Sequence, residues 1–182
     1  KLILPVIVIA QFCCTSLWFA GNAVMGDLIV NYNLDNSVLG HLTSAVQLGF
    51  ILGTLVFAVL TIADRFSPSK VFFVSALFAS LFNAGVMWEA NSLLSILSLR
   101  FFTGFFLAGI YPVGMKIAAD YYEKGLGKSL GFLVGALVIG TAFPHLAKEM
   151  TDMFPWKSVL ALTSFLAIFG GILMFILVPN CP

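Results

Sequence analysis

The sequence predicts an all-α, polytopic membrane protein: a single domain over residues 1–182 made of six transmembrane helices, built as two inverted three-helix repeats. Three observations carry that reading. The chain is 60% hydrophobic and only 9% charged, against a charged share of about 25% in soluble domains. Its mean hydropathy is +1.06. Its few charges are clustered, leaving charge-free runs at 2–26, 36–63, 71–88, 101–115, 129–147 and 158–182.

A bilayer core about 30 Å thick takes roughly 20 helical residues, and five of the six runs reach 18 or more. The fourth is short only because Arg100 bounds it. Admitting that arginine gives expected spans at 3–30, 37–62, 70–89, 92–119, 128–149 and 157–178. The first run is too long for a signal peptide and lacks a convincing cleavage site, so it is read as a retained span. The connections at 31–36, 64–69, 90–91, 120–127 and 150–156 are short and rich in turn-forming or charged residues, which makes successive helices antiparallel. One side then collects Lys1, Arg65, Lys70, Lys116, Lys124 and Lys128, and the other only Lys148 and Lys157. That bias puts both ends of the segment in the cytoplasm of a plasma membrane, such as a bacterial inner membrane.

The first span places Gln11, Thr15, Trp18 and Asn22 on one face at 100° per residue. A buried amide without a partner costs several kcal/mol in hydrocarbon, about 2–7 depending on reference. The stripe must therefore face other helices or a water-filled cavity. Asp27 lies about 140° round the same helix from Asn22, near the outer boundary. The second span carries a polar row of Thr43, Gln47 and Thr54 and, on another side, the pair Gly49 and Gly53. The fifth span repeats such a pair at Gly131 and Gly135. Both are expected to pack helices closely, and their place in the second helix of each triplet is what suggests the inverted repeat.

Asn83 in the third span and His145 in the fifth read as isolated, satisfied polar groups. Trp88 and Trp156 fall at span ends where an interfacial aromatic belt would lie. The fourth span holds Arg100 about 10 Å from its start at 1.5 Å per residue. A charge at depth costs at least about 2.5–3.5 kcal/mol on insertion scales, so it pairs, clamps helices or lines a substrate route. Arg100, Gly104, Leu107 and Tyr111 share a face, and Asn22 and Asp27 are the expected partners of the guanidinium.

Several function classes are excluded. There is no basic run to grip nucleic-acid phosphates. Cys13, Cys14 and Cys181 have no metal-ligand or disulfide spacing, and no cofactor or metal is expected. No nucleophile elbow, zinc-helix motif or pair of carboxylates within the spans suggests an enzyme.

The turn Ala63-Asp64-Arg65-Phe66-Ser67-Pro68-Ser69-Lys70 resembles the loop between the second and third helices of major facilitator transporters, with Leu60 and Ser67 in place of its two usual glycines. Arg100-Phe101-Phe102-Thr103-Gly104 followed by Gly109-Ile110-Tyr111-Pro112-Val113-Gly114 is similar to that family's fourth helix, and Ala119-Asp120-Tyr121-Tyr122 to its exit. Gly127-Lys128-Ser129-Leu130-Gly131 resembles the start of the fifth helix, and Trp156-Lys157 stands where Trp-Arg is common before the sixth. The resemblance implies a secondary transporter that moves a small solute by alternating access, with proton coupling as one form. It also implies that this chain is half of a twelve-helix fold, packed against a second six-helix half. The first and fourth helices would line the cavity between them, with Gln11, Thr15, Trp18, Asn22, Asp27, Gln47, Arg100 and Tyr111 as candidates for that lining. Asp64, Arg65 and Lys70 would form a cytoplasmic gating turn, and Gly49, Gly53, Gly104, Gly109, Gly131 and Gly135 would pack helices. The alternative is a non-transporting membrane scaffold whose polar stripes only hold helices together.

Overall fold

The computed structural model describes residues 3–35, 37–122, 124–150 and 155–179. Lys1, Cys181 and parts of the connections expected at 31–36, 120–127 and 150–156 lie outside them. Among the described residues all regular structure is helical: α1 Ile3–Thr15, α2 Ala20–Ala23, α3 Met25–Asn31, α4 Val38–Val59, α5 Ile62–Arg65, α6 Pro68–Gly85, α7 Leu93–Leu107, α8 Tyr111–Tyr121, α9 Leu126–Met150 and α10 Lys157–Leu177. By length and composition four helices can cross a membrane: α4, the run Leu93–Tyr121, α9 and α10. The 18-residue α6, which contains Lys70 and Asn83, is not among them.

Two expected continuous spans are broken, and the physical reason is local competition for carbonyls. In the first, the Thr15 hydroxyl donates to Gln11 O at 2.8 Å and Ser16 Oγ to Cys13 O at 2.7 Å. Such side-chain bonds loosen the helical ladder. The N–H groups of Leu17 and Trp18 then reach back only three residues, to Cys14 O at 3.3 Å and Thr15 O at 3.1 Å. A second interruption follows at Val24 (φ −106°, ψ 17°). In the fourth span, Pro112 has no N–H to offer Ala108 O. The N–H groups of Ala108, Gly109 and Ile110 likewise turn back to the third residue before them.

Packing is tightest between α4 and α7. A Cβ on Gly49 would lie 1.9 Å from Phe101 O, and one on Gly104 would lie 1.9 Å from Val46 O. The two backbones therefore touch, which only residues without side chains allow. Gly53 approaches Phe105 O in the same groove, and Gly109 approaches Ser75 Oγ. Gly131 and Gly135 differ from the packing role expected of them, since no described atom lies within 4 Å of where their Cβ atoms would be. The close glycine of α9 is instead Gly140, which meets Thr15 Oγ1 and Phe12 O.

The bundle has two distinct ends. One gathers Leu4, whose N–H donates to Tyr122 Oη at 3.0 Å, Ser69, whose hydroxyl donates to Val178 O at 2.9 Å, and Tyr121, whose hydroxyl donates to Pro179 O. The other gathers Tyr32, whose hydroxyl donates to Val86 O at 3.0 Å and Trp88 O at 2.7 Å, and the ion pair Lys157–Glu89 at 2.8 Å. Glu89 is held below the usual glutamate range by its hydrogen bond and charge contact with Lys157. Trp88 is exposed there, and Trp156 sits edge-on to Tyr32 with ring centroids 6.3 Å apart.

Candidate functional site

The break in the first span exposes backbone carbonyls inside the bundle, and Arg100 takes them. Its Nη1 donates to Leu17 O at 3.3 Å and its Nη2 to Trp18 O at 2.5 Å. In an unbroken helix those carbonyls would accept from the N–H groups of Gly21 and Asn22. The guanidinium thus replaces helical donors with its own fixed fork. It reaches them because residue 21 is glycine: a Cβ there would stand 2.9 Å from Arg100 Nε.

Arg100 is 1% exposed. Its third contact is Asn83 Oδ1 at 3.4 Å, while Asn83 Nδ2 donates across to α10, to Ser164 Oγ at 2.9 Å, Thr163 Oγ1 at 3.3 Å and Leu160 O at 3.3 Å. One buried network therefore ties the first span, α6, α7 and α10. Among the described residues its charge meets neutral oxygens only. This corrects the partners expected from sequence, Asn22 and Asp27. Asn22 Nδ2 donates to Thr43 Oγ1 of α4 at 2.7 Å, and Asp27 pairs with Lys148 of α9 at 2.8 Å. Their side chains turn to α4 and α9 instead. It also corrects Asn83, which is not isolated. Its only sequence signal is an amide inside an apolar run. Gly21 and the two carbonyls carry no such signal.

The residues of the polar stripe meet several neighbours. Gln11 lies with its Oε1 against Gly114 of α8, Thr15 against Gly140 of α9, and the Trp18 ring 4.5 Å from that of Phe50 on α4. The buried side-chain atoms without a hydrogen-bond partner, among the described residues, are Gln11 Nε2 and Oε1, Trp18 Nε1 and Asn22 Oδ1. All four belong to the first span. Gln47 is half-buried on α4, and Tyr111 is partly exposed at the start of α8, beyond the break.

The charged turn divides its own residues as well. Asp64 pairs with Lys116 of α8 at 2.9 Å, and Lys116 stands 3.7 Å from Asp120. Arg65 turns back, its Nε donating to Thr61 Oγ1 at 3.1 Å. Thr61 takes the left-handed conformation (φ 49°, ψ 40°), unusual for a β-branched residue. It does so one position after Leu60, where the resembling loops carry glycine. No group of His, Cys, Asp and Glu able to hold a metal ion occurs among the described residues.

Residues 7–181 match the model of one protein family, described as Major Facilitator Superfamily. No curated protein matches the chain.

Proposed function

The chain belongs to the major facilitator superfamily and is thus a multi-pass membrane protein of a transporter family; from that premise we propose that it moves a small solute across the bilayer by alternating access. The observation that carries the proposal is the gathering of unpartnered buried polar atoms on the first span: Gln11, Trp18 and Asn22. In a bilayer such atoms are costly, and a segment that presents them serves best where a solute or a changed helix arrangement satisfies them. The proposal includes six crossings in two inverted triplets, a second six-helix half following this one, and both ends of the segment in the cytoplasm of the plasma membrane. The excess of Arg65, Lys70, Lys116, Lys124 and Lys128 at one end supports that orientation.

Within it Arg100 acts as a positioning residue. It holds the break in the first span open and so sets where Trp18 and Asn22 point. Asp64 and Lys116 form a latch between the turn and α8 that parts when the cytoplasmic side opens. Catalytic chemistry has no part in this reading.

The test is labelling with a membrane-impermeant thiol reagent in sealed vesicles, using Asn22→Cys and Gln47→Cys, both partly buried, in a Cys181→Ser background. Reaction that alternates between the two faces is expected. No reaction at either position from either face would overturn the route. In the same vesicles, solute uptake that rises under an imposed pH gradient supports proton coupling, and indifference to the gradient removes it. The scaffold reading is favoured by one specific observation, the seating of Gln11 and Thr15 directly against Gly114 and Gly140. It requires failure of labelling at Asn22.

A further inference from the structure

The charged turn between α4 and α6 divides its acid and its bases between two cavities, with Phe57 lining both. Asp64 lines a cavity of about 190 Å³ with Lys116, Thr54 and Pro112, and is neutralised there by Lys116 at 2.9 Å. Arg65 and Lys70 instead border a separate groove of about 440 Å³ whose walls are Phe57, Phe66, Val74 and Phe106. No ion pair involving Arg65 or Lys70 occurs among the described residues. Among the described residues the groove thus has two cations at its mouth and no acid in its lining, and its body is apolar.

The depth of these groups follows from the helix. Lys70 sits in the first turn of α6, and Val74 stands one turn deeper, about 6 Å further along at 1.5 Å per residue. Phe66 and Val74 are 64% and 45% exposed, so the apolar walls face outward from the bundle. Charge at the membrane boundary above an apolar slot fits a molecule that has a phosphate at one end and an acyl chain at the other. Arginine and lysine both bind phosphate oxygens, arginine as a fork.

We propose that this groove holds one anionic phospholipid, its headgroup phosphate between Arg65 and Lys70 and the upper part of an acyl chain between Phe57, Val74 and Phe106. A lipid seated there would contact the turn through Arg65 and Phe66, while Asp64 stays with Lys116 in the other cavity. The proposal rests on the chain spanning a bilayer and not on the solute route, so failure of the labelling test above leaves it standing.

Native mass spectrometry of the full chain, taken from vesicles of equal phosphatidylcholine and phosphatidylglycerol, tests it. Phosphatidylglycerol is expected to be retained in preference to phosphatidylcholine. Arg65→Gln and Lys70→Gln should each lower that retention about fivefold, as a basic residue near a charged membrane surface does. Val74→Trp, which fills the slot without changing charge, should displace the lipid too. Lys124→Gln, in a cation outside the groove, should leave retention unchanged. Glycerol phosphate, which offers the same anion without chains, should not compete. Equal retention of the two lipids, undiminished retention by the Arg65→Gln/Lys70→Gln double variant or by Val74→Trp, or full competition by glycerol phosphate would each overturn the assignment.

Discussion

The first span meets α4 through Trp18 on Phe50 and Asn22 on Thr43, and Ile3–Thr15 is about as apolar as α4, yet residues 3–31 are interrupted twice while Val38–Val59 runs unbroken for 22 residues. The difference lies in what each shows its neighbours. α4 presents Gly49 and Gly53, and its backbone lies directly on α7. Such contacts need every carbonyl inside its own helix. The first span presents Thr15, Ser16 and Gly21, which loosen its ladder and let an arginine from α7 take the released carbonyls. In a bilayer, where unpaired backbone groups cannot turn to water, a helix breaks where something re-satisfies the freed groups: a neighbour's donors in the first span, shorter backbone bonds in the fourth. The smooth surface of α4 and the fork of Arg100 are thus complementary uses of the same helix, α7.

Arg100 is the strongest place to break this comparison. Arg100→Ala should destabilise the protein by about 3–5 kcal/mol, because two carbonyls and Asn83 Oδ1 lose their donor in a buried site. Arg100→Lys should recover only part of it, since an ammonium cannot span both carbonyls as a fork does. Thermal unfolding in detergent checks the order, and solute uptake should fall in both variants. Unchanged melting of Arg100→Ala would mean that the break stands without its cap.

The smooth side of the comparison is tested by Gly104→Ala. Its added methyl meets Val46 O, and overpacking of this kind costs about 1–3 kcal/mol. Gly131→Ala, facing open space, should stay within about 0.5 kcal/mol of the parent. If the two variants melt alike, close approach is not what keeps α4 straight.

Thr61→Gly should act in the other direction. It removes the left-handed strain of a β-branched residue, worth roughly 1–2 kcal/mol, less whatever the contact with Arg65 contributes. A rise in midpoint of chemical unfolding checks it. The smallest effect belongs to the far end. The folded-state pKa of Glu89 is depressed by Lys157, so its contribution is present above the ordinary glutamate range and is lost as pH falls through the lowered folded value. Glu89→Gln should flatten the acid side of the stability profile slightly, and a profile of unchanged slope would show that this exposed pair contributes nothing.

How much of this was legible beforehand differs between particular residues. Gly49, Gly53 and Arg100 stand out in the string because glycine spacing and a charge within an apolar run are visible without neighbours. The partners of Arg100 were not legible, because two of them are main-chain oxygens and every residue carries one. The polar stripe of Gln11, Thr15, Trp18 and Asn22 assumed 100° per residue throughout. That period fails at Ser16, and the four side chains disperse to α8, α9 and α4. Thr15-Ser16 ahead of Gly21, and Pro112 after Gly109, were the available hints of interruption. They become decisive only once α7 and α6 are in place.

What the sequence alone determined is the solvent and the helical class. Transfer into a bilayer is close to a sum over residues along the chain, and backbone groups in hydrocarbon must pair within a segment. Only the tertiary structure decided where those segments break, which carbonyls Arg100 caps, why Gly140 rather than Gly131 meets a neighbour, and how the turn at Asp64 and Arg65 divides its charges. Those outcomes depend on groups from distant parts of the chain approaching within hydrogen-bonding or van der Waals distance, and no local sum contains that distance.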